Sequence, residues 1–218
     1  MTKPVAREPL RRNSRANRER ILATARQELG RNPDVTLEEL ARAAGVVRRT
    51  LFGHFPGREA LLEALAEEAS EALRSALTEG TAFAETVPAE RAFAGFVFSL
   101  WPVGDRYRLL LALARRDLGV QRVAEVLAPA RATATAILER GQRDGVFHTH
   151  LPAEAMSGGL EAMTVALLES VNDGLLEDDG TRVAVALLIA AGVPEERAKS
   201  VVEAVAPAFE AERDAADD

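Results

Sequence analysis

The segment "TLEELARAAGVVRRTLFGHF", Thr36–Phe55, decides the fold of the N-terminal part of this chain. Thr36 followed three residues later by Glu39 is a capping box, which predicts that a short helix starts here. Gly45 supplies a tight turn, and a second short helix is expected over about Val47–Phe52. Two short helices joined by "AGV" are typical of a helix-turn-helix, the unit that places its second helix in the major groove of DNA.

The first turn of the second short helix reads "VRRT", which places Arg48 and Arg49 at the end that faces base edges. Arginine is the side chain that bonds guanine bidentately through O6 and N7. His54 and Arg58 follow on the far side, where side chains meet phosphates, and Thr36 can bond a phosphate in the same way. The alternative is that the arginines form a solvated surface with the neighbouring glutamates, Glu38, Glu39 and Glu59.

Charge is distributed unevenly along the 218 residues. The chain has a formal net charge of -7, but residues 1–60 hold 13 Lys+Arg against 7 Asp+Glu. A basic N-terminal region before an acidic remainder indicates that the N-terminal region meets a polyanion. A basic tail without any partner is the alternative.

Apolar residues recur at helical spacing along nearly the whole chain, with almost no strand-like alternation, which predicts an all-α fold. Glycine and proline mark the expected helix ends: Gly30 as a left-handed cap, Pro102 and Gly104 as the end of a helix over Pro88–Trp101, and Pro129 as a break or kink. Other helices are expected over about Ser14–Leu29, Arg106–Arg116, Val120–Arg143, Pro152–Val171 and Thr181–Ala191, with further helices starting near Arg58 and Pro194.

The stretch "RERILATARQELGRNPDVTLEELARAAGVVRRTLFGHFPGREALLEAL", Arg18–Leu65, resembles the N-terminal domain of the tetracycline-repressor (TetR) family of bacterial transcription regulators. The segments "TLEELARAAGV", "TLFGHF" and "REALL" occur together at the family's spacing. The resemblance implies that Arg48 and Arg49 take recognition-helix positions. The predicted DNA-binding residues are therefore Thr36, Arg48, Arg49, Thr50, Phe52, Gly53, His54 and Arg58.

Three positions depart from the family's common pattern. Val47 replaces the serine or threonine that usually caps the recognition helix, Phe52 lacks the tyrosine hydroxyl, and Gly53 leaves bare a position that often carries a polar or aromatic side chain. A missing cap costs a helix about 0.5–2 kcal/mol. Burial of Val47 against the preceding helix is the competing interpretation of that position.

The predicted organisation has four parts: a basic N-terminal arm (1–15), a helix-turn-helix domain (16–62), a helical effector-binding and dimerisation domain (63–212) and an acidic tail (213–218). The resemblance implies a homodimer on a palindromic double-stranded DNA operator, acting as a repressor that a small-molecule effector releases. Small and apolar residues predict the dimer contact on the helices Pro152–Val171 and Thr181–Ala191. The alternative function is a helical module that binds protein or ligand without regulating DNA.

Aromatic and methionine side chains recur through the C-terminal region. They form either ordinary core or the lining of an apolar cavity between helices, where small-molecule sites tend to occur. The family resemblance favours a cavity and a largely apolar effector. The candidate pocket residues are Phe96, Leu100, Trp101, Tyr107, Leu111, Phe147, Met156 and Met163.

Other chemistry finds little support. The absence of cysteine excludes disulfides and thiolate sites, and no GxSxG, Walker A or GxGxxG motif is present, so we expect neither an enzyme nor a cofactor. His148 and His150 could share a metal, but two surface loop histidines are the simpler interpretation, and no metal is expected. The longest apolar run, Val183–Val193, is too short to span a bilayer, and the N-terminus lacks an apolar signal segment. We therefore expect a cytoplasmic protein without membrane contact.

Overall fold

The computed structural model describes residues 8–81 and 86–217, and these residues fold into nine α-helices without a strand. The predicted all-α fold is confirmed. In chain order the helices are α1 (Glu8–Arg31), α2 (Leu37–Ala43), α3 (Arg48–His54), α4 (Arg58–Thr81), α5 (Ala89–Asp117), α6 (Val120–Arg143), α7 (Ala153–Asn172), α8 (Thr181–Ala190) and α9 (Glu195–Asp217).

The described residues group into two compact units. The first comprises the chain up to Glu68 together with Leu109–Val123, and the second comprises Ala69–Arg108 and the chain from Ala124 onward. The predicted division at residue 62 therefore missed one segment, because the end of α5 and the start of α6 belong with the helix-turn-helix. Of the predicted arm (1–15), only residues from Glu8 are described, and these are helical.

The first unit is organised around the buried face of α1. Apolar residues at helical spacing on α1 are almost completely inaccessible to solvent, and α1 packs on both α2 and α3. This burial fixes the positions of the two short helices, which at seven residues each are too short to be stable alone. The main buried side chains are Ile21, Leu22, Ala25, Leu29, Leu40, Leu51, Phe55, Leu61 and Leu62.

The second unit has its own core, formed by α7, α8 and α9 with parts of α5 and α6. The α8 helix is central in this core, because Val183, Ala184, Leu187 and Leu188 are all buried and α8 contacts both α7 and α9. No helix within the described ranges combines the length and the apolar character needed to cross a bilayer.

Proline and glycine do not end helices where the sequence suggested. The predicted end of a helix at Trp101 is wrong, because α5 continues through Pro102 and has 29 residues in all. The helix predicted over Val120–Arg143 is present as α6, and it is not broken at Pro129. A proline inside a helix removes one hydrogen bond at a cost of about 3 kcal/mol, and burial of the flanking turns offsets this cost. Gly30 is helical rather than left-handed, and α1 runs six residues further toward the N-terminus than expected.

The α8 helix starts at Thr181, as predicted, and its start depends on two residues of the preceding loop. The N-cap residue is Gly180, at a φ of 106°, and glycine has no side chain that could accept a hydrogen bond from the first amides of the helix. The Asp178 carboxylate takes that role, since it accepts hydrogen bonds from the Arg182 and Val183 amides at 3.0 Å each. A Cβ at position 180 would lie 3.2 Å from Trp101 Cγ, so glycine is needed here for two reasons.

Candidate nucleic-acid interface

The α2 helix starts with the predicted capping box. The Thr36 hydroxyl accepts a hydrogen bond from the Glu39 amide at 3.2 Å, and the Glu39 carboxylate accepts one from the Thr36 amide at 2.8 Å. The Glu39 carboxylate accepts hydrogen bonds from the Thr36 amide and from the Thr36 hydroxyl, and these two bonds, the one from the amide first, lower the pKa of this exposed carboxyl. The helix start is thereby fixed, and Gly45 at a φ of 63° makes the turn that follows.

The α3 helix starts without a side-chain cap. Val47 is its N-cap residue, and only the Val47 carbonyl contributes, by accepting a hydrogen bond from the Thr50 amide at 2.8 Å. The Val47 side chain is 68% exposed. The competing interpretation, burial of Val47 against the preceding helix, is therefore wrong, and the first amides of α3 are open to solvent or to a ligand.

Arg48 and Arg49 are both exposed on the first turn of α3. Arg48 Nη2 lies 3.0 Å from Glu38 Oε1, and the guanidinium lies over the Phe52 ring at 5.0 Å from its centroid. An exposed ion pair of this kind contributes at most about 1 kcal/mol, so DNA can displace it. Arg48 thus pairs with Glu38, one of the glutamates of the alternative interpretation, and base reading by Arg48 stays a prediction.

Arg58 is held within the protein rather than extended into solvent. Its Nη1 donates a hydrogen bond to the Val35 carbonyl at 3.0 Å, its Nη2 donates to the Pro33 carbonyl, and its Nε lies 3.3 Å from Asp117 Oδ2. Its side chain remains 31% exposed. Arg58 therefore fixes the loop before α2 against α4, a role that the sequence did not indicate, and the phosphate contact proposed for it stays a prediction.

Asp117, the last residue of α5, pairs with two arginines. Hydrogen bonds from Arg116 and then from Arg58 lower the pKa of the Asp117 carboxyl, against a raising effect of burial. Arg116 also lies 3.8 Å from Asp34, in the loop that Arg58 holds. Charged contacts thus connect the end of α5 to the loop in front of α2, within the unit that holds the helix-turn-helix.

The remaining predicted DNA-binding residues all lie on α3. Thr50, Phe52 and His54 are partly exposed, and Gly53 is exposed with no atom within 4 Å of a Cβ placed on it. His54 ends the helix, and the buried Phe55 that follows ties this end to the core. Thr36 lies at the start of α2, in the same unit. The structure thus collects every predicted DNA-binding residue in one unit.

The candidate effector-pocket residues do not form one group. Trp101, Phe147 and Met156 are buried in the core of the second unit, and Phe96 and Met163 pack against that core. Leu111 belongs to the first unit, with the helix-turn-helix. Leu100 and Tyr107 lie on α5 and are partly exposed. The Trp101 indole donates a hydrogen bond to the Asp178 carbonyl at 3.1 Å, so its ring is fixed.

The predicted dimer surface on α7 is partly free. Gly158, Gly159 and Ala162 are exposed, and a Cβ at either glycine would meet nothing within 4 Å. Ser157 faces inward instead, where its hydroxyl donates a hydrogen bond to the Arg131 carbonyl at 3.2 Å. Three of the four small residues therefore lie on the outer face of α7.

The rings of the two loop histidines are tilted by 31° to each other at a centroid separation of 5.3 Å, and His148 Nε2 lies 3.3 Å from the Ala190 carbonyl. Among the described residues, no group of three or more His, Cys, Asp or Glu side chains is arranged to hold a metal ion.

Residues 21–65 match the family model described as "Bacterial regulatory proteins, tetR family". This match confirms the predicted resemblance for the N-terminal domain. It begins three residues after the resemblance seen at Arg18–Leu65 and ends at the same residue. No curated protein matches the chain.

Solved structures share the fold over most of the chain. They include a bacterial regulatory protein in the tetR family from Rhodococcus RHA1, which is 18% identical at a TM-score of 0.67, with 82% of this chain and 98% of that chain covered. LfrR from Mycobacterium smegmatis, in complex with proflavine, is 23% identical at a TM-score of 0.62, with 80% of this chain and 93% of that chain covered. A gamma-butyrolactone receptor (ArpA-like protein) is 21% identical at a TM-score of 0.65, with 91% of this chain and 98% of that chain covered.

Proposed function

We propose that this chain, whose residues 21–65 are those of a tetR-family DNA-binding domain, is a transcription regulator that binds a palindromic DNA operator as a homodimer. By this proposal it represses transcription and a small-molecule effector releases it from DNA. The observation that carries the proposal is the exposed pair Arg48 and Arg49 on the first turn of a helix-turn-helix recognition helix.

The arrangement assigns different tasks to the two ends of the unit. By this proposal Arg48 and Arg49 reach base edges in the major groove. By this proposal Thr36, His54 and Arg58 contact phosphates, which fix the register of the protein on DNA but carry no sequence information. Arg58 has a second task, because its bonds to the Val35 and Pro33 carbonyls orient α2 relative to α4.

Selection of bound duplexes from random DNA, followed by titration of single-arginine variants, tests the proposal. Arg48→Ala or Arg49→Ala should weaken the selected site by about 1–3 kcal/mol and relax the preference at one position of each half-site. Arg74→Ala is the matched control, since Arg74 is exposed on α4 outside the helix-turn-helix. An unchanged motif with both variants would contradict base reading, and absence of any selected motif would contradict the function.

The dimer is proposed to form through α7 and α8. The exposed small residues Gly158, Gly159 and Ala162 permit close approach of a second copy, and Ile189 on α8 is an exposed apolar residue at 41%. A two-fold contact would use this surface on both subunits. Sedimentation of the wild type at micromolar concentration should give twice the mass of the chain. Gly158→Arg should give the chain mass, while a wild-type monomer would contradict the proposal.

The effector is proposed to be largely apolar and to bind beside Trp101. Support comes from the concentration of aromatic and methionine side chains in the second unit and from the likeness to LfrR, whose structure holds proflavine. An effector acts only through its different affinities for the DNA-bound and released states. Trp101 is the single tryptophan. Its emission should therefore change when a compound that releases DNA is added, and release without such a change would place the pocket elsewhere.

The competing function, a helical interaction module that does not regulate DNA, makes the opposite prediction for salt. A module of that kind would not be retained on DNA at low ionic strength. The proposed regulator should be retained and should elute as salt rises, because its affinity depends on released counterions.

A further inference from the structure

An open groove lies on the first unit outside most of the predicted DNA-binding residues. It has a volume of about 530 Å³ and is lined by Ser14, Arg15, Arg18 and Glu19 of α1 and by His54 of α3. Four of these five residues precede residue 21, where the family match begins. Apart from His54, the groove therefore lies outside both the family match and the predicted set of DNA-binding residues.

Two arginines dominate the charge of this groove. Arg15 and Arg18 are both exposed, and the single acidic lining residue is Glu19. Arg15 Nε lies 3.9 Å from Glu19 Oε1, with side chains that are 85% and 69% exposed, so this pair contributes little and is easily broken. The groove keeps a net positive charge, which suits an anion.

The neighbouring arginine has a different task, which separates binding from folding. Arg20 donates hydrogen bonds from Nε to the Ala44 carbonyl at 3.0 Å and from Nη2 to Asn17 at 2.9 Å. It thereby fixes α1 to the end of α2. Arg18 instead lies over the Phe55 ring at 5.6 Å from its centroid, which orients its guanidinium beside the end of α3. Arg15 has no such structural contact among the described residues.

The groove lies at the end of α3 opposite to the base-reading arginines. Arg48 and His54 are six residues apart on a helix, a separation of about 9 Å along the axis. The major groove is about 12 Å wide, so a helix that reads bases with its first turn brings its last turn close to one wall of the groove. That wall is formed by the phosphates of one strand.

We propose that Arg15 and Arg18 of α1, together with the His54 imidazole, bind a phosphate of the DNA backbone next to the operator half-site. The proposal rests on the proposed function and extends the DNA contact surface beyond the family match. The guanidinium groups supply planar donors suited to phosphate oxygens, and the imidazole supplies one ring N–H. This contact strengthens binding to every sequence equally, because it touches no base edge.

Titrations of the full chain between about 50 and 200 mM salt test the proposal, with a labelled duplex carrying the selected operator and a scrambled duplex as probes. Each lost phosphate contact should reduce the slope of log K against log salt by about 1, so Arg15→Gln should lower it by about 1 and the double variant Arg15→Gln/Arg18→Gln by up to about 2. The losses should be equal on both duplexes.

Two controls separate this contact from folding and from general charge. Arg31→Gln removes one charge from the same helix, at an exposed residue about 20 Å along the axis from Arg18, and should leave the slope unchanged. Arg15→Glu should reduce the slope more than Arg15→Gln without lowering the melting temperature, because the Arg15 side chain is 85% exposed. Arg15→Glu leaves the contact between Arg18 and the Phe55 ring in place, so the test remains valid even if Arg18→Gln affects folding.

Slopes that stay at the wild-type value in Arg15→Gln and Arg15→Glu would overturn the proposal, as would a loss confined to the selected operator. If Arg31→Gln reduced the slope as much as Arg15→Gln, the effect would be one of net charge and the groove would have no special part in binding. Failure of the wild type to bind either duplex would contradict the proposed function instead, so the two failures are distinguishable.

Discussion

Replacing Val47 by threonine tests whether the recognition helix lacks a cap. The backbone at Val47 has φ -73° and ψ 149°, close to the φ -79° and ψ 157° of Thr36, whose hydroxyl caps α2. A hydroxyl at position 47 should therefore reach the Arg49 or Thr50 amide without any change of the main chain. Because the Val47 side chain is 68% exposed, exchange of one methyl for a hydroxyl removes little buried apolar surface.

The expected gain follows from a comparison of the two helix starts. A serine or threonine N-cap contributes about 0.5–2 kcal/mol. The α2 cap is strengthened by the returning bond from Glu39, whereas the third residue of α3 is Thr50, which cannot return one. We therefore expect Val47→Thr to stabilise the protein by about 0.5–1 kcal/mol, in the lower half of that range. In a chain of this length, this corresponds to a rise in Tm of about 1–4 °C.

Urea denaturation of the full chain and titration with operator DNA are the assays. Val47→Ala is the control, because it removes both γ-methyl groups of valine without adding an acceptor, and a surface change of this kind should stay within about 0.5 kcal/mol of wild type. Val47→Thr should also bind DNA more tightly, since less binding energy is consumed in ordering Arg48 and Arg49. Equal stability of the threonine and alanine variants would refute the missing-cap explanation.

Four further substitutions test other contacts. Thr36→Val removes the α2 cap and should lower the free energy of unfolding by about 0.5–2 kcal/mol; an unchanged urea midpoint would contradict this. Arg58→Lys keeps the charge but loses the bonds to two carbonyls, so we expect a loss of about 1–3 kcal/mol in the same assay, whereas a pure phosphate contact predicts none. Asp117 has a lowered pKa in the folded protein, so its contribution to stability is present at neutral pH and is lost as the pH falls through that pKa. The difference in the free energy of unfolding between the wild type and Asp117→Asn should therefore shrink below about pH 4, and a difference that stays constant with pH would refute this contribution. Gly141→Ala places a Cβ in overlap with the Phe147 ring and should destabilise the protein by about 1–3 kcal/mol, measured by calorimetry. A small gain in stability would instead show that the ring moves aside freely.

Local sequence patterns were sufficient for the helix-turn-helix. The capping pair Thr36 and Glu39 is separated by three residues, and the turn at Gly45 requires a left-handed φ that glycine adopts readily, so both features are readable without knowledge of the fold. The absence of a cap at Val47 was equally visible, because it depends on one side chain. These local rules predicted the positions of α2 and α3 to within two residues.

Proline and glycine were less informative in the long helices. Pro102 was expected to end a helix and Pro129 to break or kink one, but both prolines lie inside a continuous helix. The local cost of a proline is about 3 kcal/mol, and burial of several apolar side chains on each side exceeds it. Since that burial depends on helices distant in the sequence, a local rule could not decide the outcome.

The sequence by itself determined the all-α class, the helix-turn-helix and the exposed arginines of α3, because each depends on residues within one or two helical turns of each other. Only the tertiary structure decided that Arg58 pairs with Asp117, 59 residues away, and that Arg15 and Arg18 share a groove with His54. The side chains of such sites are charged and partly exposed, so they leave no periodic apolar pattern in the sequence. Their partners are set by how helices distant in the chain pack together, which is a property of the folded core and not of any one segment.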